Sequence, residues 1–222
     1  MTALSIQRLQ LGPMANFVYL LVPAAGDRLA VIDPGWDAEA ITAAATAVGR
    51  TVTDLVLTHH HGDHRNAVEA LLDKGAQRVW VQRAEAPWLE QTGWTDCCCW
   101  LDSGDRIDLG PGASLTCVAT PGHTPGSQCL LCDSDRGPAI LTGDTLFIDG
   151  CGRCDLPGGD PAAMYHTLYG ILGAVDGQTR VLPGHDYAPH SEAALDDQRK
   201  TNPYLGFRSV DEFVGYRMRP RR

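Results

Sequence analysis

The stretch that decides the fold is Thr58-His59-His60-His61-Gly62-Asp63-His64, which directly follows a short apolar run at 55–57. If that run is a β-strand, His59 and His61 leave its end on the same side, because side chains alternate along a strand. Asp63 and His64 then lie where the chain turns into a helix, predicted over 66–72. Zn²⁺ and Fe²⁺ both accept imidazole nitrogens and carboxylate oxygens as ligands. The stretch therefore predicts a metal site at the end of a strand.

Three downstream segments argue against the alternative, a His-rich polar loop that binds metal only adventitiously. They read Thr120-Pro-Gly-His123-Thr-Pro-Gly-Ser127, Leu141-Thr-Gly-Asp144-Thr-Leu-Phe147 and Leu182-Pro-Gly-His185-Asp-Tyr187. Each segment places one ligand-type residue beside a glycine, which permits a tight turn, after or near an apolar β-like run. We expect these loops to converge with the His-rich stretch along one edge of the molecule.

This set of motifs resembles the metallo-β-lactamase fold, in particular the branch that contains hydroxyacylglutathione hydrolase (glyoxalase II) and persulfide dioxygenase. The resemblance extends from Asn16 to about Phe213, and it is far more specific for the fold than for the substrate. It implies an α/β (α+β) architecture, a four-layer αββα sandwich of two sheets with helices outside. The alternation of strands and helices by itself predicts only one mixed domain over 1–222. A short helical extension would begin at about 191.

The resemblance also implies two groups of metal ligands. His59, His61 and His123 would hold one ion, Asp63, His64 and His185 would hold a second, and Asp144 would bridge them. Two divalent ions about 3.5–4 Å apart, with Zn²⁺ favoured, can deprotonate a shared water near neutral pH. The resulting hydroxide would attack a carbonyl beside the catalytic carboxylates Asp63 and Asp144, so no protein nucleophile is needed.

For the substrate, Arg153 and Tyr187 match two positions that contact glutathione in glyoxalase II. Only 37 residues of this sequence follow His185, so we do not expect the C-terminal helical domain of that family here. We therefore expect a small-molecule substrate, a glutathione or other thiol conjugate. The expected activity is metal-dependent hydrolysis of a thioester or related ester.

The alternative is a persulfide dioxygenase. That family carries Gly-Cys-Gly-Arg-Thr-Asp where this chain has Gly150-Cys-Gly-Arg-Cys-Asp155. It would use one Fe²⁺ held by His59, His123 and Asp144, with positions left open for O₂ and a thiolate. A non-catalytic metal-binding module is a third interpretation, which the complete ligand set disfavours.

Composition restricts the partners and the compartment. The 222 residues carry a net charge of −9, which argues against a nucleic-acid backbone as partner. No apolar run approaches the roughly 18 residues of a membrane span, and no signal-peptide pattern opens the chain. We expect a cytoplasmic protein, with the oligomeric state open and a homo-oligomer included. The basic cluster within 217–222 is predicted to be a solvated tail.

Eight cysteines suggest a competing metal site. Cys129-x2-Cys132 and Cys151-x2-Cys154 have the spacing of a four-cysteine zinc site. Positions three apart on a strand point to opposite faces, however, so Cys129 and Cys132 are predicted to be core residues, as is Cys117. Reduced thiols are the expectation without a secretion signal.

Several other polar residues are given expected roles. Alternation points His60 away from the metals, so we expect it to support or pack against the site. His166 and His190 are expected to be surface or structural residues. Asp33 either hydrogen-bonds a metal-ligating histidine or serves as a turn residue. Residues 92–100 are predicted to be a loop, and 191–200 a helix.

Overall fold

The computed structural model describes residues 4–219. Its strands are β1 Leu4–Leu11, β2 Asn16–Pro23, β3 Ala30–Ile32, β4 Asp54–Val56, β5 Arg78–Gln82, β6 Cys98–Leu101, β7 Arg106–Gly110, β8 Ala113–Ala119, β9 Gln128–Ser134, β10 Gly137–Gly143, β11 Leu146–Phe147, β12 Gly150–Cys151, β13 Arg180–Pro183 and β14 Ala193–Ala194. Its α-helices are α1 Ala38–Ala47, α2 Val68–Asp73, α3 Ala86–Leu89, α4 Pro161–His166, α5 Leu195–Thr201 and α6 Val210–Arg217.

The strands form two six-stranded sheets. The first has the order β1-β2-β3-β4-β5-β6, antiparallel up to β3 and parallel from β3 onwards. The second has the order β14-β13-β10-β9-β8-β7, in which only β10 and β13 are parallel. Every residue of the central strands β3 and β4 is buried because both of their faces are covered, and all of them except Asp54 are apolar.

The side chains of β2 show how the layers are built. Phe17, Tyr19 and Leu21 point into the core between the two sheets, while Val18 and Leu20 join a second core with residues of α1 and α2. A third core lies on the outer face of the second sheet, where Met164 of α4 and Phe213 of α6 are fully buried. Three cores between four layers confirm the predicted αββα sandwich, and burial of this apolar surface is its main source of stability.

Two sequence-based element predictions were wrong. Residues 92–100 were predicted as loop, but 98–100 belong to β6, which pairs in parallel with β5. Cys98 and Trp100 pack towards the helices and Leu101 packs between the sheets. Three consecutive cysteines show no alternation of polar and apolar residues, so the sequence did not indicate this strand. The helix predicted over 191–200 begins only at Leu195, because Ala193 and Ala194 pair with β13 as a short edge strand.

The predicted solvated tail was wrong at Arg217, whereas Arg219 is exposed. Arg217 is the last residue of α6 and is only 7% exposed. Its guanidinium donates two hydrogen bonds, of 2.9 and 2.7 Å, to the carbonyl oxygen of Gly152. A buried acceptor therefore holds this arginine in place, which charge counting could not foresee. Arg221 and Arg222 lie outside the described residues.

Candidate metal centre

The carboxyl ends of the central strands meet at one edge of the sandwich and carry the seven predicted ligands. His59 and His61 follow β4, Asp63 and His64 lie in the 3-10 turn Gly62–His64, His123 lies between β8 and β9, Asp144 follows β10, and His185 follows β13. Hydrogen bonds between the sheets fix this edge. The Gln128 amide donates to the Thr58 carbonyl (2.9 Å), and the Phe17 amide donates to the Gly184 carbonyl (2.8 Å).

Three histidines form a first cluster. His61 Nδ1 lies 3.0 Å from His59 Nε2 and 2.9 Å from His123 Nε2. These three nitrogens all lie within 4.8 Å of one another, as the ligand atoms of a single ion do. The structure thus brings together the first predicted trio.

The second cluster contains Asp63, His64 and His185. The Nε2 atoms of His64 and His185 are 3.1 Å apart, and Asp63 Oδ2 lies 3.3 and 3.5 Å from them. A side chain at Gly184 would collide with this cluster, because a Cβ there would lie 3.0 Å from His64 Cε1 and 2.8 Å from Asp144 Oδ1. Only glycine fits at position 184, because the backbone there lies so close to His64 and Asp144.

Asp144 lies between the two clusters. Its Oδ2 is 3.5 Å from His123 Nε2, and its Oδ1 is 3.3 Å from His64 Nε2 and 3.4 Å from His185 Nε2. Oδ1 is buried and accepts no hydrogen bond within the described part of the chain. Burying an unsatisfied carboxylate oxygen is costly, so this atom fits the position of a ligand to a cation.

The outward-facing nitrogens of four histidines have fixed partners. His123 Nδ1 donates to the Arg153 carbonyl (2.7 Å) and His185 Nδ1 to the Met14 carbonyl (2.9 Å), while His64 Nδ1 lies 2.9 Å from Asp33 Oδ2. His59 Nδ1 lies 3.0 Å from the hydroxyl of Thr58. In each case the Nε2 lone pair is left facing the cleft, which is the arrangement that ligating histidines adopt around metals.

The two clusters differ in their electrostatics. Burial lowers the pKa of His59 well below its usual value, lowers that of His61 to about 4, and lowers that of His123. Burial alone would also lower the pKa of His64 and His185, but Asp144 raises both, with Asp33 contributing at His64. The first cluster therefore offers neutral imidazoles. The second concentrates negative charge that a cation would offset.

Two residues support the second cluster, and only one of them was considered in the sequence analysis. Asp33, for which both expected roles stayed open, accepts from the Thr58 amide (2.7 Å) as well as contacting His64. Asn16 was not predicted as a site residue at all. Its Nδ2 donates to Asp63 Oδ2 (2.9 Å), and its Oδ1 accepts from the indole of Trp36 (2.7 Å). No motif in the sequence marks a lone asparagine so far from its partner.

A cavity of about 650 Å³ opens onto both clusters. Its apolar wall contains Met14, Phe147, Ile148, Tyr187 and Tyr204. A larger groove of about 860 Å³ lies around Arg106 and Thr116, but no histidine lines it. Concave, partly apolar space beside convergent polar groups is typical of small-molecule sites, so the smaller cavity is the candidate active site.

Arg153 and Tyr187, the predicted substrate contacts, both line this cavity. Tyr187 is 57% exposed and stacks on the ring of His185, with centroids 4.6 Å apart. Arg153 forms a two-pronged ion pair with Asp155, with both N–O distances 2.9 Å. The guanidinium is thus near the cavity but is already paired.

The remaining predictions concern cysteines and histidines away from the cleft. Cys129 packs towards the helices and Cys132 packs between the sheets, as their spacing on β9 predicted. Within residues 4–219, no group of potential metal ligands includes a cysteine. His166 and His190 are exposed, and His60 supports the site through its ring and backbone. None of the helices described between residues 4 and 219 is long and apolar enough to cross a membrane.

Comparisons with known proteins agree with this geometry. The hydroxyacylglutathione hydrolase of Pseudomonas putida is 35% identical over 197 residues, which cover 88% of this chain and 71% of that enzyme. The probable polyketide biosynthesis zinc-dependent hydrolase PksB of Bacillus subtilis is 28% identical over 204 residues, covering 92% of this chain and 88% of that protein.

Among solved structures, ETHE1 from Myxococcus xanthus superimposes with a TM-score of 0.81 at 27% identity, covering 98% of this chain and 92% of that one. The family model of the metallo-beta-lactamase superfamily matches residues 11–185, a range that begins before the His-rich stretch and ends at the last predicted ligand. The chain therefore belongs to the metallo-beta-lactamase superfamily, in the branch that resembles glyoxalase II and persulfide dioxygenase.

Proposed function

We propose that this protein is a metal-dependent thioester hydrolase, similar to glyoxalase II, that holds two divalent cations, with Zn²⁺ favoured. The observation that carries the proposal is the position of Asp144 between two trios of ligand-type atoms, with one carboxylate oxygen directed at each. A single-ion site would leave the second trio without a chemical role. The glyoxalase II and zinc-dependent hydrolase relatives support the same interpretation.

When bound, two such cations supply Lewis acidity and an activated water for attack on a carbonyl. In the overall reaction, water adds to the thioester carbon and the carbon–sulfur bond breaks. The water oxygen stays with the acid, and one water proton leaves with the thiol. Asp63 faces the cavity and is held at Oδ2 by Asn16, so it is the carboxylate placed to accept a proton from the attacking water. Asp144, whose side chain is only 12% exposed, lies between the two clusters and would orient both.

The acyl and thiol halves of the substrate would lie in the 650 Å³ cavity. We assign the thiol half to the wall formed by Tyr187 and Arg153. Tyr187 offers an exposed ring and hydroxyl, and Arg153 offers a guanidinium to a carboxylate once Asp155 releases it. A glutathione thioester carries carboxylates that would suit this wall.

The test is hydrolysis of S-lactoylglutathione, and of S-acetyl-N-acetylcysteamine as a thioester without carboxylates, by the Zn²⁺-loaded protein. We expect cleavage of the glutathione thioester, lost in Asp144→Ala and retained in His166→Ala, a matched exposed histidine. The proposal is overturned if neither compound is cleaved, or if cleavage persists in Asp144→Ala.

The likeness to ETHE1 favours a second candidate, persulfide dioxygenase activity with one Fe²⁺ at His59, His123 and Asp144. The Nε2 of His123 lies 3.5 Å from Asp144 Oδ2, which allows both to share an ion. Oxygen uptake with glutathione persulfide, measured on protein purified anaerobically and loaded with Fe²⁺, tests this alternative. Fast uptake that depends on Fe²⁺, without thioester cleavage by either metal form, would replace the hydrolase by the dioxygenase.

A further inference from the structure

Glu85 is a buried carboxylate that the proposed reaction does not use. It lies in the 3-10 turn Arg83–Glu85 between β5 and α3, and its side chain is 0% exposed. Four hydrogen-bonding contacts with donor groups surround it. A carboxylate is an acceptor only, and burying one without partners is costly, so this arrangement fully occupies the group.

The two oxygens of Glu85 contact two different loops. Oε2 accepts from the backbone amide of His60 (3.1 Å) and contacts His60 Nδ1. Oε1 accepts from the Thr124 hydroxyl (2.6 Å) and from the Gly126 amide (2.7 Å). One side chain therefore joins the segment between His59 and His61 to the segment that follows His123.

Close packing makes this connection rigid. A Cβ at position 126 would lie 2.7 Å from Glu85 Cγ, so only glycine permits the loop to approach so closely. On the other side the His60 ring stacks on Trp88, with centroids 4.6 Å apart and planes 6° apart. Neither loop can shift relative to the other without breaking these contacts.

The histidines on these two loops are the three of the first cluster. The second cluster is supported elsewhere, by Asp33 at His64, the Met14 carbonyl at His185 and Asn16 at Asp63. We propose that Glu85 is a positioning residue that sets the spacing of His59, His61 and His123, and thereby the affinity of the first cluster for its cation. This inference rests on the proposed metal centre.

Glu85→Gln is the most direct variant, because the amide has the same shape. In one orientation its NH₂ group faces the donors of His60, and in the other it faces those of Thr124 and Gly126. Donor against donor cannot form a hydrogen bond, so one loop is released in either case. Substitution of a residue that orients metal ligands in this way typically lowers the metal affinity by about 10- to 100-fold.

The two clusters can be measured separately. In a His185→Ala background only the first trio is complete, and in a His123→Ala background only the second. Zn²⁺ affinity is measured by competition with a chromophoric chelator, on protein shown to be folded by circular dichroism. We expect Glu85→Gln to weaken Zn²⁺ binding about 10- to 100-fold in the first background and less than about threefold in the second. Asn16→Ala, the matched control, should show the opposite pattern, because its side-chain amide donates to Asp63 of the second cluster.

Equal weakening in both backgrounds, or no weakening in the first, would overturn the inference, since a merely structural role does not distinguish the clusters. If Glu85→Gln does not fold, Thr124→Val removes only the hydroxyl, with its contacts to Glu85 Oε1 and Ser127 Oγ. It should weaken the first cluster selectively, while Thr124→Ser should restore it. Failure of Thr124→Val to do so would also overturn it. If the wild-type protein binds no Zn²⁺ in either background, the metal centre itself is refuted, which is a different result from an unaffected Glu85→Gln.

Discussion

Five of the seven candidate ligands have a second residue that fixes their orientation, namely Asp63, His59, His64, His123 and His185. Asn16 illustrates the point, since it holds Asp63 Oδ2 at 2.9 Å while Trp36 holds the asparagine in turn. We predict that Asn16→Ala lowers kcat/KM for thioester hydrolysis by about 10- to 100-fold, because Asp63 loses its fixed orientation. Trp36→Phe, which removes only the indole N–H, should have a smaller effect in the same direction. Steady-state kinetics on Zn²⁺-loaded variants measures both, and unchanged activity in Asn16→Ala would refute this role.

The ion pair at the cavity wall gives a second prediction. Asp155 occupies the guanidinium of Arg153 and so competes with any carboxylate of the substrate. We predict that Asp155→Ala lowers KM for a glutathione thioester and that Arg153→Ala raises it, each about 3- to 10-fold with kcat little changed, since exposed ion pairs are worth at most about 1 kcal/mol. If both variants change KM in the same direction, Arg153 does not contact the substrate carboxylate.

The sequence identifies the candidate ligands that converge in the structure, but not the residues that support them. The ligands stand in recognisable motifs, because several coordinating side chains must leave the ends of successive strands together. Asn16 and Glu85 act through long-range contacts: Asn16 lies 47 residues from Asp63, and Glu85 lies 25 residues from His60 and 41 residues from Gly126. Nothing local distinguishes such residues from other polar residues, so only the folded chain reveals them.

At the scale of elements, strands β4 and β5 are joined by a buried acid. Asp54 is 0% exposed, and its carboxylate accepts from Arg28 (3.0 and 2.6 Å), Arg78 (2.9 Å) and the Trp80 indole (2.8 Å). Burial would raise the pKa of Asp54, but the hydrogen bonds from these groups lower it to about 2. A depressed carboxyl pKa stabilises the folded state above the unfolded pKa, and this stabilisation disappears as pH falls through the folded pKa.

We therefore predict a specific loss of stability in acid. Between about pH 5 and pH 2, the free energy of unfolding of the metal-free wild type should fall by about 2 kcal/mol more than that of Asp54→Asn, which has no proton to bind. Urea titrations across this range measure the difference. Parallel pH profiles for the two proteins would contradict the assigned role.

Helix α6 gives a prediction at the same scale, since Arg217 fastens it to the loop that contains Gly152 and Arg153. Arg217→Ala should lower the free energy of unfolding by about 2 kcal/mol, because the Gly152 carbonyl loses two charge-assisted hydrogen bonds. Arg219→Ala is the control, because Arg219 is exposed and a surface substitution should change stability by less than about 0.5 kcal/mol. Chemical denaturation measures both variants, and equal effects would contradict the assignment.

Helices and strands were predictable from the sequence where a local pattern determines them. They were less predictable where pairing with a distant strand determines them. The helix predicted over 66–72 is present as α2, Val68–Asp73, because the periodicity of a helix is a local signal. Strand β6 exists only because β5 lies beside it, and β14 only because β13 does. Pairing partners far along the chain leave no periodicity in such short segments.

At the scale of the whole molecule, the site depends on the packing of the two sheets, which brings their loops together at one edge. Tyr19 of the first sheet donates its hydroxyl to the Pro183 carbonyl of the second (2.7 Å), directly below the candidate centre. The resemblance of the motifs to a known fold predicted this convergence, whereas hydrophobic patterning predicted only a mixed α and β domain. The exact layering depends on contacts between residues that are far apart in the chain, so no local signal contains it.

The central claim is that seven side chains from positions 59 to 185 form one centre for two cations. The most direct test is the number of divalent ions bound per chain, measured by equilibrium dialysis of metal-free protein against buffered Zn²⁺ followed by metal analysis. We predict two ions for the wild type and fewer for Asp144→Ala, which would lose the shared ligand. Saturation with one ion or none in the wild type, or two ions in Asp144→Ala with wild-type affinity, would contradict it.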